Sequence, residues 1–260
     1  MTKLDNRLLL ELNEAACVAV HNPGGLSPFL ILGDHAGNAI PRKLAALELS
    51  APDRARHIAW DIGVRGLGEA LANALDAVYI HQHYSRLVID CNREPMSAQA
   101  IPAISDGSAV PGNERLLNGD RVARITEIHK PYHDRITAEL TRRAEADHPT
   151  ILIALHSFTP TMTRIPRPWH IGILYSGGDT RFATMLLNQL GLEPDIITGD
   201  NQPYRMDNTD YTVPRHAFAN RLPYVELEVR QNLIAEAKGQ LFWSNRLCAV
   251  LETAQQGFCN

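Results

Sequence analysis

Two histidines follow short apolar runs at distant points of the chain. "PFLILG" (28–33) gives way to Asp34 and His35, and "TILIAL" (150–155) to His156 and Ser157. Two imidazoles delivered by separate strand ends, with one carboxylate, are the usual protein ligand set of a catalytic zinc, whose fourth position is left for water. The carboxylate is open among three residues: Asp61, on the turn of "AWDIG" where a helix begins; Asp34; and Glu69, which falls in mid-helix. Asp34 adjoins His35, so it either points elsewhere or orients an imidazole from behind. Gly37, just beyond, lets the backbone pass close to a neighbour. A metal-bound water also needs a base that is not itself a ligand. Glu226 and Glu228 of "PYVELEV" (223–229) alternate along a strand and so share a face. A strand rising into a core does not ordinarily carry two carboxylates on one side, so one of them is expected to face the crevice. Taken singly, each residue has a plainer use: a hydrogen-bonded polar residue, a helix cap at Asp61, a solvent-facing edge for the glutamates. Their coincidence at strand ends carries the metal reading.

Arginine adds a second feature. "YSRLVIDCNR" places Arg86 and Arg93 at the two ends of an apolar run, with Asp90 and Asn92 between. A guanidinium in the crevice implies an anionic substrate, because its fork donates two parallel hydrogen bonds to a carboxylate. A structural Arg86–Asp90 pair fits the same spacing equally well. "HKPYH" sets His129 and His133 at i, i+4, a spacing that can bind metal. Pro131 between them favours a cap or a substrate contact instead.

The elements that must hold these residues alternate in type. Besides the runs above, "AVYIHQHY" (77–84), "RLVIDC" (86–91) and "HIGILYS" (170–176) are short, apolar, bounded by turn residues and predicted as strands. Between the runs lie amphipathic segments. "DIGVRGLGEALANALDA" and "DRVARITEIHKPYHDRITAELTRRAEA" read as helices, the second kinked or divided at Pro131. "DTRFATMLLNQLG" has an Asp cap and ends at Gly191, and "LFWSNRLCAVLETAQQG" is a further helix. The alternation predicts one α/β domain over residues 1–260: three layers, with a central, mostly parallel mixed sheet and helices on both faces. Such sheets bind ligands at the carboxyl ends of their strands. "SDGSAVPGNERLLNGD" (105–120) reads as a surface loop near the site.

Bulk composition narrows the partners. With 45% hydrophobic and 21% charged residues the chain is globular, and a net charge of −4 gives no case for nucleic acid or an anionic membrane. No run is long and apolar enough to cross a bilayer, and residues 1–16 carry Asp5 and Glu11 among the leucines, so no signal-peptide core is expected. Cys17, Cys91, Cys248 and Cys259 lack CxxC spacing, which argues against a cysteine zinc cluster or disulfide framework and for a reducing cytoplasm.

Together, "DHAGNAIP", "WDIG", "SRLVIDCNR", "HKPYH", "LHSF", "DNQPY" and "VELEVRQN" occur in the order typical of the N-formylglutamate amidohydrolase family. The chain resembles that family from about Phe29 to about Asn232. The resemblance implies a fold like that of the zinc exopeptidases and cell-wall amidases, with one zinc ion per chain. It implies His35, Asp61 and His156 as ligands, and Glu228, ahead of Glu226, as the base. Arg86, Asn92 and Arg93 would hold the substrate's carboxylate, and His133 or His216 would assist the oxyanion. The implied reaction is hydrolysis of a small anionic N-formyl or N-acyl amino acid, such as N-formyl-L-glutamate, in amino-acid degradation. Two features depart from the pattern: Asn38 stands where a His-x-x-Glu ligand pair would need its glutamate, and "GDHAGN" lacks a serine-proline lead. These point to a branch whose substrate need not be formylglutamate itself. A zinc amidase acting on peptidoglycan peptides and a metal-free binder of acidic amino acids are the rival readings, and a homodimer is left open.

Overall fold

A computed structural model describes residues 8–259, without the side chain of Cys259. Residues 1–7 of the segment read for a signal peptide, and the Cys259 thiol, lie outside that description. Seven strands form the central sheet: β1 (Val18–His21), β2 (Phe29–Gly33), β3 (Val78–Gln82), β4 (Ile151–Phe158), β5 (Ile171–Leu174), β6 (Thr198–Asp200) and β7 (Tyr224–Arg230). Their spatial order is β1-β3-β2-β4-β7-β5-β6. The pairs β3–β2, β2–β4, β4–β7 and β5–β6 are parallel, whereas β1–β3 and β7–β5 are antiparallel. The sheet is therefore mixed but mostly parallel.

β2 and β4 are buried along their whole length, which is why both read as unbroken apolar runs. Alternate residues serve opposite layers. Phe29, Ile31, Ile153 and Leu155 pack under three helices, α1 (Val64–Leu75), α3 (Arg181–Leu190) and α4 (Ala237–Cys259), which contribute Leu71, Phe182 and Leu247. Leu30, Leu32, Leu152 and Ala154 face α2 (Lys130–Glu145) through Tyr132 and Ile136. The three-layer expectation holds. Among the described residues no helix is long and apolar enough to cross a membrane, and Cys17, Cys91 and Cys248 carry free thiols.

"RLVIDC" is not a strand. Ser85 turns the chain: its hydroxyl donates to the Ala59 carbonyl and accepts from the Leu87 N–H. Asp90 N–H then bonds the Ala100 carbonyl rather than a sheet partner. Leu87, Val88 and Ile89 are buried in a third apolar cluster, so burial without pairing produced the strand-like pattern. Pro131 neither breaks nor splits its helix. A π-helical turn, Ile125–His129, widens the ladder just before it, and helical structure runs from Asn118 to Glu145. Asp179 accepts the Arg181 N–H ahead of α3. The stretch 105–120, expected as a surface loop, is instead built of short elements: a tiny hairpin between Ile104–Ser105 and Ser108–Ala109, a helical turn at Pro111–Glu114 and the start of the helix at Asn118.

Candidate functional site

His35 follows β2, His156 is a paired residue of β4, third from its end, and Asp61 sits on the loop before α1. These elements converge at the carboxyl end of the parallel strands. The His35 and His156 ring centroids are 5.0 Å apart. One donor atom from each of His35, Asp61 and His156 lies within 4.8 Å of the other two, and all three residues are buried. Asp61 Oδ2 is 3.5 Å from His35 Nδ1 and 3.0 Å from His156 Nδ1. A Cβ on Gly37 would stand 2.0 Å from the His83 carbonyl oxygen, so this turn can lie against the backbone just beyond β3 only with glycine there.

Each imidazole is backed by a carboxylate. His35 Nε2 donates to Asp90 Oδ1 at 2.7 Å, leaving Nδ1, buried and without a hydrogen-bond partner among the described residues, as the lone-pair nitrogen. His156 Nε2 is 3.6 Å from Asp34 Oδ2, and the Tyr132 hydroxyl donates to Asp34 Oδ1 at 2.7 Å. Asp34 thus backs His156 across the sheet rather than its neighbour His35. Burial alone would raise the Asp34 carboxyl, but His156, His35 and Tyr132 outweigh it and hold it at about 2. Burial is likewise outweighed at Asp61 by the two histidines and at Asp90 by Arg86 and His35, so both stay well below the usual carboxylate range. His156, despite burial, is pushed well above its usual value by Asp34 and Asp61.

Glu226 and Glu228 extend from β7 onto the same rim, Glu228 in register with His156 on β4. Both are buried, and Oε2 of each lacks a hydrogen-bond partner among the described residues. Burial raises Glu226 to about 7 and Glu228 to about 8, although the nearby His156 charge opposes this. Asp34, Asp61, Asp90, Glu226 and Glu228 therefore concentrate carboxylates in a buried space. The donor types, their convergence and the unpartnered His35 Nδ1 fit a divalent cation held by nitrogen and oxygen.

The cleft in front of these groups encloses about 540 Å³; Asp61, Arg86, Asn92, Arg93, His156 and Glu228 are on its wall. Arg86 is committed to carboxylates already: Nε and Nη2 donate to Asp90 Oδ2 at 3.0 and 2.7 Å, and Nη1 is 3.4 Å from Asp61 Oδ1. Asn92 Oδ1 accepts the N–H groups of Tyr211 and Thr212, and so clamps the 209–212 segment. Arg93 pairs with Asp210 at 3.2 Å.

His133 and His216, by contrast, are not on the cleft wall. They stack on each other behind it, 2.9 Å apart between Nδ1 and Nε2, while His133 Nε2 donates to the Cys91 carbonyl. With both ring nitrogens of His133 engaged inside the protein, it has no free edge for an oxyanion. His129 sits against His133 and donates to the Arg93 carbonyl, so "HKPYH" buttresses the wall. Among the cleft residues that the sequence does not single out are Tyr204 of "DNQPY" and its neighbour Arg205. Only the position of "DNQPY" among the other motifs hinted at them.

A family model for N-formylglutamate amidohydrolase matches residues 27–235. The solved structure of gene product Atu2144 from Agrobacterium tumefaciens is 31% identical, with a TM-score of 0.93, over 97% of this chain and 100% of that one. An N-formylglutamate amidohydrolase from Ralstonia eutropha JMP134 is 19% identical, with a TM-score of 0.67, over 93% of this chain and 98% of its own; at that identity it speaks for the fold alone. No curated protein matches.

Proposed function

The chain belongs to the N-formylglutamate amidohydrolase family and is an amidohydrolase, and we propose that it uses one zinc ion to hydrolyse N-formyl or similarly small N-acyl derivatives of acidic amino acids, N-formyl-L-glutamate among them. The observation that carries this reading is the convergence of His35, Asp61 and His156, each imidazole backed by a carboxylate, beside the buried Glu228. In this reading the three residues hold zinc, which when bound supplies an acidified water, its pKa lowered to about 7, and a positive charge that draws Glu228 to its ionised form. Glu228 takes the water's proton and passes it to the leaving nitrogen. Glu226, two register positions further in and on the same face, is the alternative base. Arg86 and Asn92 hold the wall in shape rather than the substrate, since their polar atoms are occupied within the protein. The substrate's carboxylate is then received by Arg93 and Arg205, of which Arg205 has no ion-pair partner among the described residues.

The cleft volume favours one second reading: about 540 Å³ exceeds what a single formylated amino acid fills, so a larger amide such as a peptidoglycan peptide also fits. A panel of N-formyl, N-acetyl and N-succinyl amino acids beside cell-wall peptides, run with and without chelator, tests both. We expect release of formate or the small acid, abolished by chelator and restored by zinc. Turnover indifferent to chelator, or activity on cell-wall peptides alone, overturns the proposal. Elemental analysis finding no zinc even after supply would favour the metal-free binder.

A further inference from the structure

His133 and His216 lie behind the wall, so the donor that meets developing charge on the scissile carbonyl must come from elsewhere on the cleft. We propose that the Tyr204 hydroxyl donates a hydrogen bond to the carbonyl oxygen of the scissile amide, and that Arg167 is the positioning residue that aims it. The assignment rests on the amidohydrolase reading above.

The loop leading to Tyr204 is fixed at three points. Asn201 N–H bonds the Ile173 carbonyl, and Asn201 Oδ1 accepts the Tyr175 N–H. The Gln202 carbonyl presses on Gly172, where a Cβ would meet that oxygen at 1.9 Å. Gly172 is the β5 residue in register with Glu228. The loop therefore crosses the sheet beside the proposed base, and Tyr204, two residues on, lines the same cleft as Glu228, Asp61 and His156.

The phenol is held so that its proton is left over. Arg167 Nη1 donates to the Tyr204 oxygen at 2.9 Å, and the guanidinium carbon lies 4.6 Å from the ring centroid. Arg167 can only donate, so the Tyr204 oxygen is the acceptor in that contact. Among the described residues the hydroxyl hydrogen has no acceptor of its own, and substrate can supply one. Tyr204 is 38% exposed, and partial withdrawal of its hydroxyl from water together with the nearby Glu228 carboxylate raises the phenol's pKa further above neutrality, so the proton stays in place.

The step balances without a further reactant. Water oxygen bonds to the carbonyl carbon while the C=O π pair moves onto the carbonyl oxygen, which Tyr204 stabilises without giving up its proton. Glu228 takes one water proton and transfers it to nitrogen as the C–N bond breaks and the C=O bond re-forms. The products are the free amine and the small carboxylic acid.

The test uses zinc-loaded protein and N-formyl-L-glutamate, with the other N-acyl amino acids of the panel in parallel. Tyr204→Phe keeps the ring and should lower kcat by about 10²–10³, the usual loss of one oxyanion donor, with KM within about threefold. Its zinc content and melting temperature should match wild type. Arg167→Met should lower kcat roughly tenfold at similar KM, and Arg167→Lys, which still donates, should recover part of it. Unchanged kcat in Tyr204→Phe or in Arg167→Met, or a loss confined to KM, overturns the assignment while leaving the amidohydrolase reading intact. A zinc-loaded wild type that hydrolyses no member of the panel overturns that reading and this assignment with it.

Discussion

His35 and Asp90, 55 residues apart, meet at 2.7 Å, and this contact decides which nitrogen of His35 faces the cleft. With Nε2 donating to the carboxylate, Nδ1 is left bare toward Asp61. Arg86 and the Asn92 N–H hold Asp90 in turn, so the whole "RLVIDCN" segment acts through one imidazole. Asp90→Asn should therefore weaken zinc binding by about 10–100-fold, the usual cost of losing such a partner. Competition against a chromophoric chelator measures it, and wild-type affinity in the variant would make the pair merely structural.

Ligands and base separate by what each loses. His156→Ala should lose both bound zinc and turnover. Glu228→Gln keeps size and shape, so zinc should stay near one equivalent while kcat falls by about 10²–10⁴. Glu226→Gln should lose less. Full activity in Glu228→Gln with a large loss in Glu226→Gln would exchange the two assignments, and metal analysis beside kinetics decides.

The rim was legible because strands buried on both faces leave a continuous apolar run, and the first polar residue to interrupt it marks the rim, although β4 itself pairs on through His156 to Phe158. The paired glutamates were legible because period two puts them on one face of β7. "RLVIDC" misled because burial looks the same in sequence whether or not the backbone pairs; the deciding group is one hydroxyl, Ser85 Oγ. His133 and His216 misled for another reason. Their type suits catalysis, but their position behind the wall is fixed by a π-turn and a short helical segment that hydrophobic period does not reveal. Tyr204 and Arg205 lie on a loop placed by the close approach of Gln202 to Gly172, which no local pattern announces.

Charge pairing on the cleft wall separates the arginines. Arg93 is bonded to Asp210, whereas Arg205 has neither an ion pair nor a hydrogen bond among the described residues. Its guanidinium is free to receive an incoming carboxylate at no cost to an existing pair. Arg205→Ala should raise KM for acidic N-acyl amino acids roughly tenfold or more at constant kcat, since a charge-assisted contact is worth about 1.5–3 kcal/mol. Arg93→Ala should raise KM as well, and should also alter kcat because it releases Asp210. Equal KM changes on substrates with an amidated carboxyl group would remove both from that role.

The histidines behind the wall make the fold sensitive to acid. Burial pushes His216 down to about 4, with Arg215 adding to the effect, and burial with the neighbouring His129 and His216 drives His133 well below its usual value. In the unfolded chain both titrate near 6.5. Below that pH the unfolded state takes up protons that the native cluster refuses, so stability falls as pH drops from about 6.5 toward 4. For His216 alone the loss amounts to about 3 kcal/mol at the acid end. Because His133 Nε2 donates to the Cys91 carbonyl, its Nδ1 must accept from His216 Nε2–H, and a glutamine amide can replace that donor. His216→Gln should flatten the acid limb of urea-unfolding stability measured between pH 7 and 4.5 and leave stability at pH 7 within about 1 kcal/mol of wild type. An acid limb as steep as in wild type would mean that the cluster is not what makes the fold acid-sensitive.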